Sequence, residues 1–184
     1  DFHFSTRISE FLEEANDRLD DPEFPKALET ERCLEPKAAV QLMNLLRRQV
    51  SATGADLPHR HHVLIEASES GPDDTPGHQV ILHTMWGTTL NRPFGLALEA
   101  ALAERFGVEM EVYVHNNCIV VVLPEMIEIQ TLLSLVTPGN LEALLRKRLE
   151  HSGFFGARFR ECAGRALLIE RRRMGERLPL WMSR

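Results

Sequence analysis

The sequence is poor in the residues and motifs that would assign it a chemistry at sight. Its three cysteines, Cys33, Cys118 and Cys162, are far apart and include no CxxC pair. That argues against a disulfide framework and a structural zinc site, fits a reducing compartment, and makes cytoplasmic the expected location. Each cysteine has apolar or small neighbours, which predicts buried thiols. No apolar run approaches the roughly 18–20 residues of a membrane-spanning helix. The run over residues 118–123 is far shorter and reads as a buried strand. The opening residues are acidic and polar, unlike a signal peptide, and a start at Asp1 in place of Met leads us to expect an excised piece of a longer protein. There is no GxxxxGK followed by Ser or Thr, no GxGxxG and no GxSxG. Lacking a phosphate cradle, the chain is not expected to hydrolyse nucleotides by itself. No catalytic, cofactor-binding or metal-ligating residue is assigned.

What is present is an ordinary globular composition, 43% hydrophobic and 26% charged over 184 residues, enough for one large domain or two small ones. Phe4, Ile8, Phe11, Leu12, Ala15 and Leu19 recur at helical spacing, and residues 20–25 break that helix. Pro36 suits the first turn of a second helix with apolar positions Ala39, Val40, Leu42, Met43, Leu46 and Val50, closed by Gly54. Strands are predicted over 63–67 and 79–84, separated by a polar, Gly/Pro-rich loop over 68–77. Pro93 is predicted to open a third helix, with Phe94, Ala97, Leu98, Ala101, Leu102 and Phe106 inward, Gly107 as its cap and Val108 as the cap contact.

Next, Met110, Val112 and Val114 alternate with Glu109, Glu111 and Tyr113, the period of a half-buried strand. Asn116-Asn117 suit a two-residue hairpin turn with positive φ, and residues 118–123 return as a central strand ended by Pro124. Helices follow: one on Met126, Ile127, Ile129, Leu132, Leu133 and Val136, then one capped by Thr137-Pro138 and lined by Leu141, Leu144, Leu145 and Leu149. A final helix over about 154–169 is predicted to bury Phe155, Phe159, Cys162, Ala163, Ala166 and Leu167. The order α-α-β-β-α-β-β-α-α-α predicts an α+β class, a mostly antiparallel sheet flanked by helices with a helical C-terminal tail. We place a sheet-containing body at 1–136 and a basic helical tail packed on it at 137–184, with one single domain as the alternative.

Charge is divided unevenly. Residues 141–184 hold 11 Lys/Arg against 5 Asp/Glu, a net of +6, while the first 140 hold 10 against 22, a net of −12. Arg158 and Arg165 are seven apart on one helical face with Glu161 between them; Arg160 and the run Arg171-Arg172-Arg173 form a second line. Arginine forks onto phosphate oxygens, so this stripe is a candidate nucleic-acid footprint. Ion pairs with Glu161 and Glu170, or docking against the acidic remainder, are the plainer alternatives. Trp86 and Trp181 are aromatic candidates for stacking on an unpaired base, with core or interface packing as the plainer role. His59, His61 and His62 read as solvated strand entry before zinc ligands. His83 and His115 read as structural, and the pairs Glu13-Glu14, Asp20-Asp21 and Asp73-Asp74 as solvated charge.

Three segments carry a family resemblance over about residues 35–184. The first holds Arg158-Phe159-Arg160-Glu161, Ala163, Gly164-Arg165-Ala166-Leu167-Leu168 and then Leu178-Pro179-Leu180-Trp181. The second is Val80-Ile81-Leu82-His83-Thr84 with Gly87, Asn91-Arg92-Pro93 and Leu96-Ala97-Leu98. The third is Gly107-Val108-Glu109-Met110-Glu111-Val112 with Ile119-Val120-Val121-Val122-Leu123-Pro124. Together they resemble the C-terminal accessory (DEAD/DEAH helicase-associated) region of the Lhr, or large helicase-related, family. Thr88-Thr89 and Val122 stand where the family often carries positive charge, and Asn116-Asn117-Cys118 where it often has an acidic pair and glycine. The resemblance implies a secretion-chaperone-like α/β fold within a superfamily 2 helicase that has RecA-like motor domains and a winged helix. It implies ATP and Mg in those motors, 3′-5′ translocation on single-stranded DNA, unwinding of DNA or RNA:DNA duplexes, and a role in repair. This domain would be non-catalytic and help to guide the strand. A protein-interaction or oligomerisation module with a chaperone-like fold is the alternative, favoured by the acidic body.

Overall fold

A computed structural model describes residues 2–70, 76–107, 109–150 and 152–168. The described elements are α1 (Phe2–Arg18), α2 (Phe24–Arg32), α3 (Pro36–Thr53), β1 (Leu64–Ser70), β2 (Pro76–His83), α4 (Thr88–Phe106), β3 (Glu111–Val114), β4 (Ile119–Leu123), α5 (Ile129–Ser134), α6 (Leu141–Leu149) and α7 (Gly153–Arg165). The class is α+β, as expected, with one four-stranded antiparallel sheet in the order β1-β2-β4-β3. The chain groups into two compact units, Asp1–Gly95 with Met110–Ile127 and Leu96–Glu109 with the residues from Glu128 onward.

In the first unit, Ala15 of α1, Phe24 and Leu28 of α2, Ala39, Met43 and Leu46 of α3, and Leu57 share one core. Helix α2 was not anticipated. The 20–25 segment does end α1, but Pro25 occupies the first turn of the next helix, where its missing N–H costs nothing. The inward faces are also narrower than the periodicity predicted: Phe4, Ile8 and Val40 are exposed. Gly54 closes α3 as expected, at φ 64°, with its N–H donating to Val50 O at 2.8 Å.

The sheet obeys its alternation. Val80 faces Val121 and Leu82 faces Ile119 across the β2–β4 ladder, and all four are buried. Val112 and Val114 of β3 continue that face, while Glu111 and Tyr113 are exposed. Strands β1 and β2 extend into the expected loop, pairing as far as Ser70 and Pro76. The β3–β4 turn is held by the His115 N–H donating to Cys118 O at 2.9 Å, but neither Asn116 nor Asn117 has positive φ. That corrects the expected turn type.

Helix α4 starts five residues before Pro93, which therefore lies inside it. Gly87 sets the start: its carbonyl accepts from the N–H groups of Leu90 and Asn91, at 3.2 and 2.9 Å. Its φ is +77°, and a Cβ there would sit 2.5 Å from Ser5 Oγ, so position 87 admits little else.

In the second unit, Ala97, Ala100 and Ala101 of α4 pack with Leu144 of α6, joined by Leu135, Val136, Leu141 and Leu145. Helix α5 is only six residues long, and Met126 and Leu133 are exposed. Thr137-Pro138 lies in a turn ahead of α6, whose N-cap is Asn140; its Oδ1 accepts from the Thr137 N–H at 2.7 Å. Gly107 ends α4 with its N–H on Ala103 O at 2.8 Å, and Val108 lies outside the described residues.

Candidate nucleic-acid interface

The positive charge that made the C-terminal region stand out divides into two populations. Those of α6 are committed to carboxylates. Arg148 Nε donates to Glu99 at 2.9 Å and its Nη1 to Glu109 at 2.7 Å, and Lys147 pairs with Glu104. Arg146 bonds Glu142 on its own helix at 2.7 Å. The hydrogen bonds to Glu109 and then Glu99 raise the Arg148 pKa further above its ordinary value. The α6 cations are therefore neutralised by carboxylates of their own compact unit.

Helix α7 is different. Ser152 caps it, its Oγ accepting from the Phe155 N–H at 3.1 Å. Arg158 Nη1 and Arg165 Nη2 each donate to Glu161, to its two different oxygens, both at 2.8 Å. All three side chains remain largely solvent-facing, so these pairs hold the guanidinium groups in place without contributing much stability. Arg160 is half-buried. The helix ends at Arg165 with a double cap: the Leu167 N–H donates to Gly164 O at 3.3 Å and the Leu168 N–H to Ala163 O at 2.9 Å, with Leu167 at φ 58°. Arg171, Arg172, Arg173 and Trp181 lie outside the described residues, as does Ile169, where the helix was expected to end.

The expectation that α7 buries its large side chains is overturned. Phe155 and Phe159 are 37% and 52% exposed, and Cys162, Ala166 and Leu167 are exposed as well; only Ala163 of the expected set is buried. The inward side carries small residues, Ala163 with half-buried Gly156, so the helix is rotated from the orientation that hydrophobicity alone prescribes. The two phenylalanine rings stack on each other instead, 6.2 Å between centroids at 22°. The one available signal was the Phe-x-x-x-Phe spacing with arginine interleaved, which fits an exposed pair as well as a buried one.

Trp86 is half-buried and packs edge-on against Phe94, at 5.7 Å between centroids. Trp86 lies in sequence between two members of a buried polar knot, Thr84 and Asn91, whose pairing no local pattern announces. Asn91 is fully buried; its Oδ1 accepts from Thr84 Oγ1 at 2.8 Å, and its Nδ2 donates to His115 O and Asn116 O at 2.9 and 3.2 Å. This ties the end of β2, the start of α4 and the β3–β4 turn together. The outward face of the sheet holds Glu66, Ser68, Glu111 and Tyr113, whose hydroxyl donates to Glu111 at 2.8 Å; that carboxylate pushes the phenol pKa up. Such a face repels phosphate.

The remaining candidates serve structure or surface. His59 and His62 exchange backbone hydrogen bonds, and His62 Nδ1 lies 3.1 Å from Leu57 O. Arg60 binds Glu13 at 2.5 Å, and Glu14 binds Arg18 and Arg32 at 3.0 and 2.7 Å. Cys33 and Cys162 are exposed and Cys118 is half-buried, correcting the expectation of three buried thiols. No helix among the described residues is long and apolar enough to cross a membrane.

Comparison with known proteins agrees with the segments that carried the resemblance. Residues 57–184 match the family described as DEAD/H associated. The chain is 34% identical over 149 residues to the Lhr helicase/probable uracil glycosylase of Mycolicibacterium smegmatis, covering 80% of this chain and 10% of that one. It is 30% identical over 152 residues to the Lhr helicase/uracil glycosylase of Escherichia coli, covering 82% and 10%. It thus spans about a tenth of the length of these curated relatives. The solved structure of Mycobacterium smegmatis helicase Lhr bound to ssDNA and AMP-PNP superposes with a TM-score of 0.74 at 29% identity, over 98% of this chain and 22% of that one. With the family model spanning most of its length and its fold matching throughout, this chain belongs to the DEAD/H-associated family, the accessory-domain family of the Lhr helicases.

Proposed function

We propose that the domain helps to guide single-stranded nucleic acid during 3′-5′ translocation and duplex unwinding by an ATP-dependent Lhr-type helicase, without catalysis of its own. The observation that carries the reading is α7, which presents Arg158 and Arg165 to solvent on a fixed frame, with Arg160 beside them. The ssDNA in the superposed helicase supports it. Its AMP-PNP supports assigning ATP, with Mg, to RecA-like motor domains of the longer protein. Those motors and a winged helix are the domain's proposed partners, and no residue of this chain is assigned to the nucleotide. The contact set comprises Arg158, Arg160 and Arg165, with Arg171, Arg172, Arg173, Trp86 and Trp181.

The test is binding of a labelled single strand over a salt series. The affinity should fall with salt, and Arg158→Ala with Arg165→Ala should flatten the log–log slope by about 1.4, since each phosphate contact on a single strand contributes about 0.7. Undetectable binding at low salt, or an unchanged slope in the double variant, refutes direct contact through α7. The second reading is a protein-interaction module. It is favoured by the α6 cations, which bind carboxylates of this chain. A dimer or complex on size exclusion that ignores added DNA would select it.

A further inference from the structure

We infer that Phe155 and Phe159 form a stacking platform for the unpaired bases of a single-stranded nucleic acid. The inference rests on the proposed strand-guiding role and names the part of α7 that would hold bases as well as phosphates. At 3.6 residues per turn, Phe155, Phe159, Cys162 and Ala166 fall within a sector of about 60°. All four are exposed. An apolar sector on a helix normally faces a core; this one faces solvent while the small Ala163 faces inward.

The chemistry bordering the sector selects its occupant. Arg158 and Arg165 run along one edge, both held by Glu161. Residues 153–165 carry three arginines against that one glutamate. A purely apolar partner would offer nothing to the net +2 that those residues carry at its rim. A single strand supplies both halves: flat bases for the rings and phosphates for the cations. A guanidinium has five N–H donors, so an ion pair to one carboxylate oxygen does not exhaust it. The rings also lie nearly parallel, 22° apart, so a base stacked on the exposed face of Phe159 meets a prearranged surface. Stacking needs no base identity, which suits a domain that must tolerate any sequence.

The experiment compares a labelled oligothymidylate with an abasic strand of equal length, by fluorescence anisotropy at low salt. The abasic strand keeps the phosphates and removes what would stack. The wild-type chain should prefer the oligothymidylate by about five-fold or more, the lower end of the stacking range. Phe155→Leu with Phe159→Leu should abolish that preference and leave abasic binding unchanged. Phe159→Trp should keep the preference and show emission quenched on binding, and its circular dichroism controls for folding. If both strands bind equally, or the leucine variant keeps the preference, stacking is overturned while the salt-dependent reading above survives. If neither strand binds, both fall. If the leucine variant changes the elution volume on size exclusion and not the affinity for either strand, the platform is a protein interface and the inference is overturned.

Discussion

Replacing Asn91 by alanine should be among the most damaging single changes in the first unit. The side chain is fully buried and makes three hydrogen bonds, at 2.8, 2.9 and 3.2 Å. Asn116 O keeps a second donor, the Gly87 N–H at 2.7 Å, so it tolerates the loss. The Thr84 hydroxyl, itself fully buried, loses its acceptor, and His115 O loses the Asn91 donor. A stranded buried polar group costs about 1–3 kcal/mol. With His115 itself exposed, the stranded Thr84 hydroxyl and the vacated volume together give about 3 kcal/mol, a large share of the roughly 5–15 kcal/mol that holds a domain together. With a urea m-value of about 2 kcal/mol per molar, the midpoint should fall by about 1.5 M. Trp86 fluorescence reports the transition from five residues away. The decisive control is Thr84→Val, which removes the hydroxyl that needs Asn91. In that background Asn91→Ala should cost about 1–2 kcal/mol less. A loss under about 1 kcal/mol, or a cycle additive within about 0.5 kcal/mol, refutes the knot as an energetic unit.

Two further perturbations test close packing and thiol burial. Gly95→Ala in α4 would gain about 1 kcal/mol of helix propensity in an exposed helix, but here the new Cβ lands 2.5 Å from Val114 Cγ2, on a stiff branched side chain. We expect a net loss of about 1–3 kcal/mol in chemical denaturation, abolished in a Val114→Ala background; a stabilised single variant contradicts the close approach. Desolvation raises the Cys118 thiol above its ordinary value, so the folded protein disfavours its thiolate and loses that increment of stability as pH rises from the unfolded thiol pKa through the folded one. At pH 8, Cys33 and Cys162 should react with Ellman's reagent faster than Cys118, and urea should equalise the three. A single rate in the native protein contradicts the assignment.

The elements that were legible are those with a local cause. Alternation in β2, β3 and β4 survives in the structure because register moves side chains by whole faces, and one face is covered. Gly54 and Gly107 close their helices because the cap is a local geometry. Proline misled twice. Pro25 lies in the first turn of α2, where the sequence marks only a break, and Pro93 lies inside a helix that Gly87 starts earlier. Both errors share a reason: proline states what its own N–H cannot do, not where its helix begins. The candidate interface was half legible. Arginine spacing located Arg158, Arg165 and their shared Glu161, but Phe155 and Phe159 were assigned to the wrong side.

By itself the sequence determined the α+β class, the antiparallel hairpin pairs, most helix positions and the family, since periodicity, caps and motif residues are written along the chain. Tertiary structure alone decided what each face meets. A helix with apolar residues on one side and small residues on another can present either inward, and the neighbours settle which. In α7 the small side went in, leaving two stacked rings and a fixed arginine pair on the surface. In α6 the cations found carboxylates of α4 and its following turn, a pairing no local spacing could announce. The Asn91 knot was decided in the same way, because its three partners lie 7 to 25 residues away and meet only when the sheet closes.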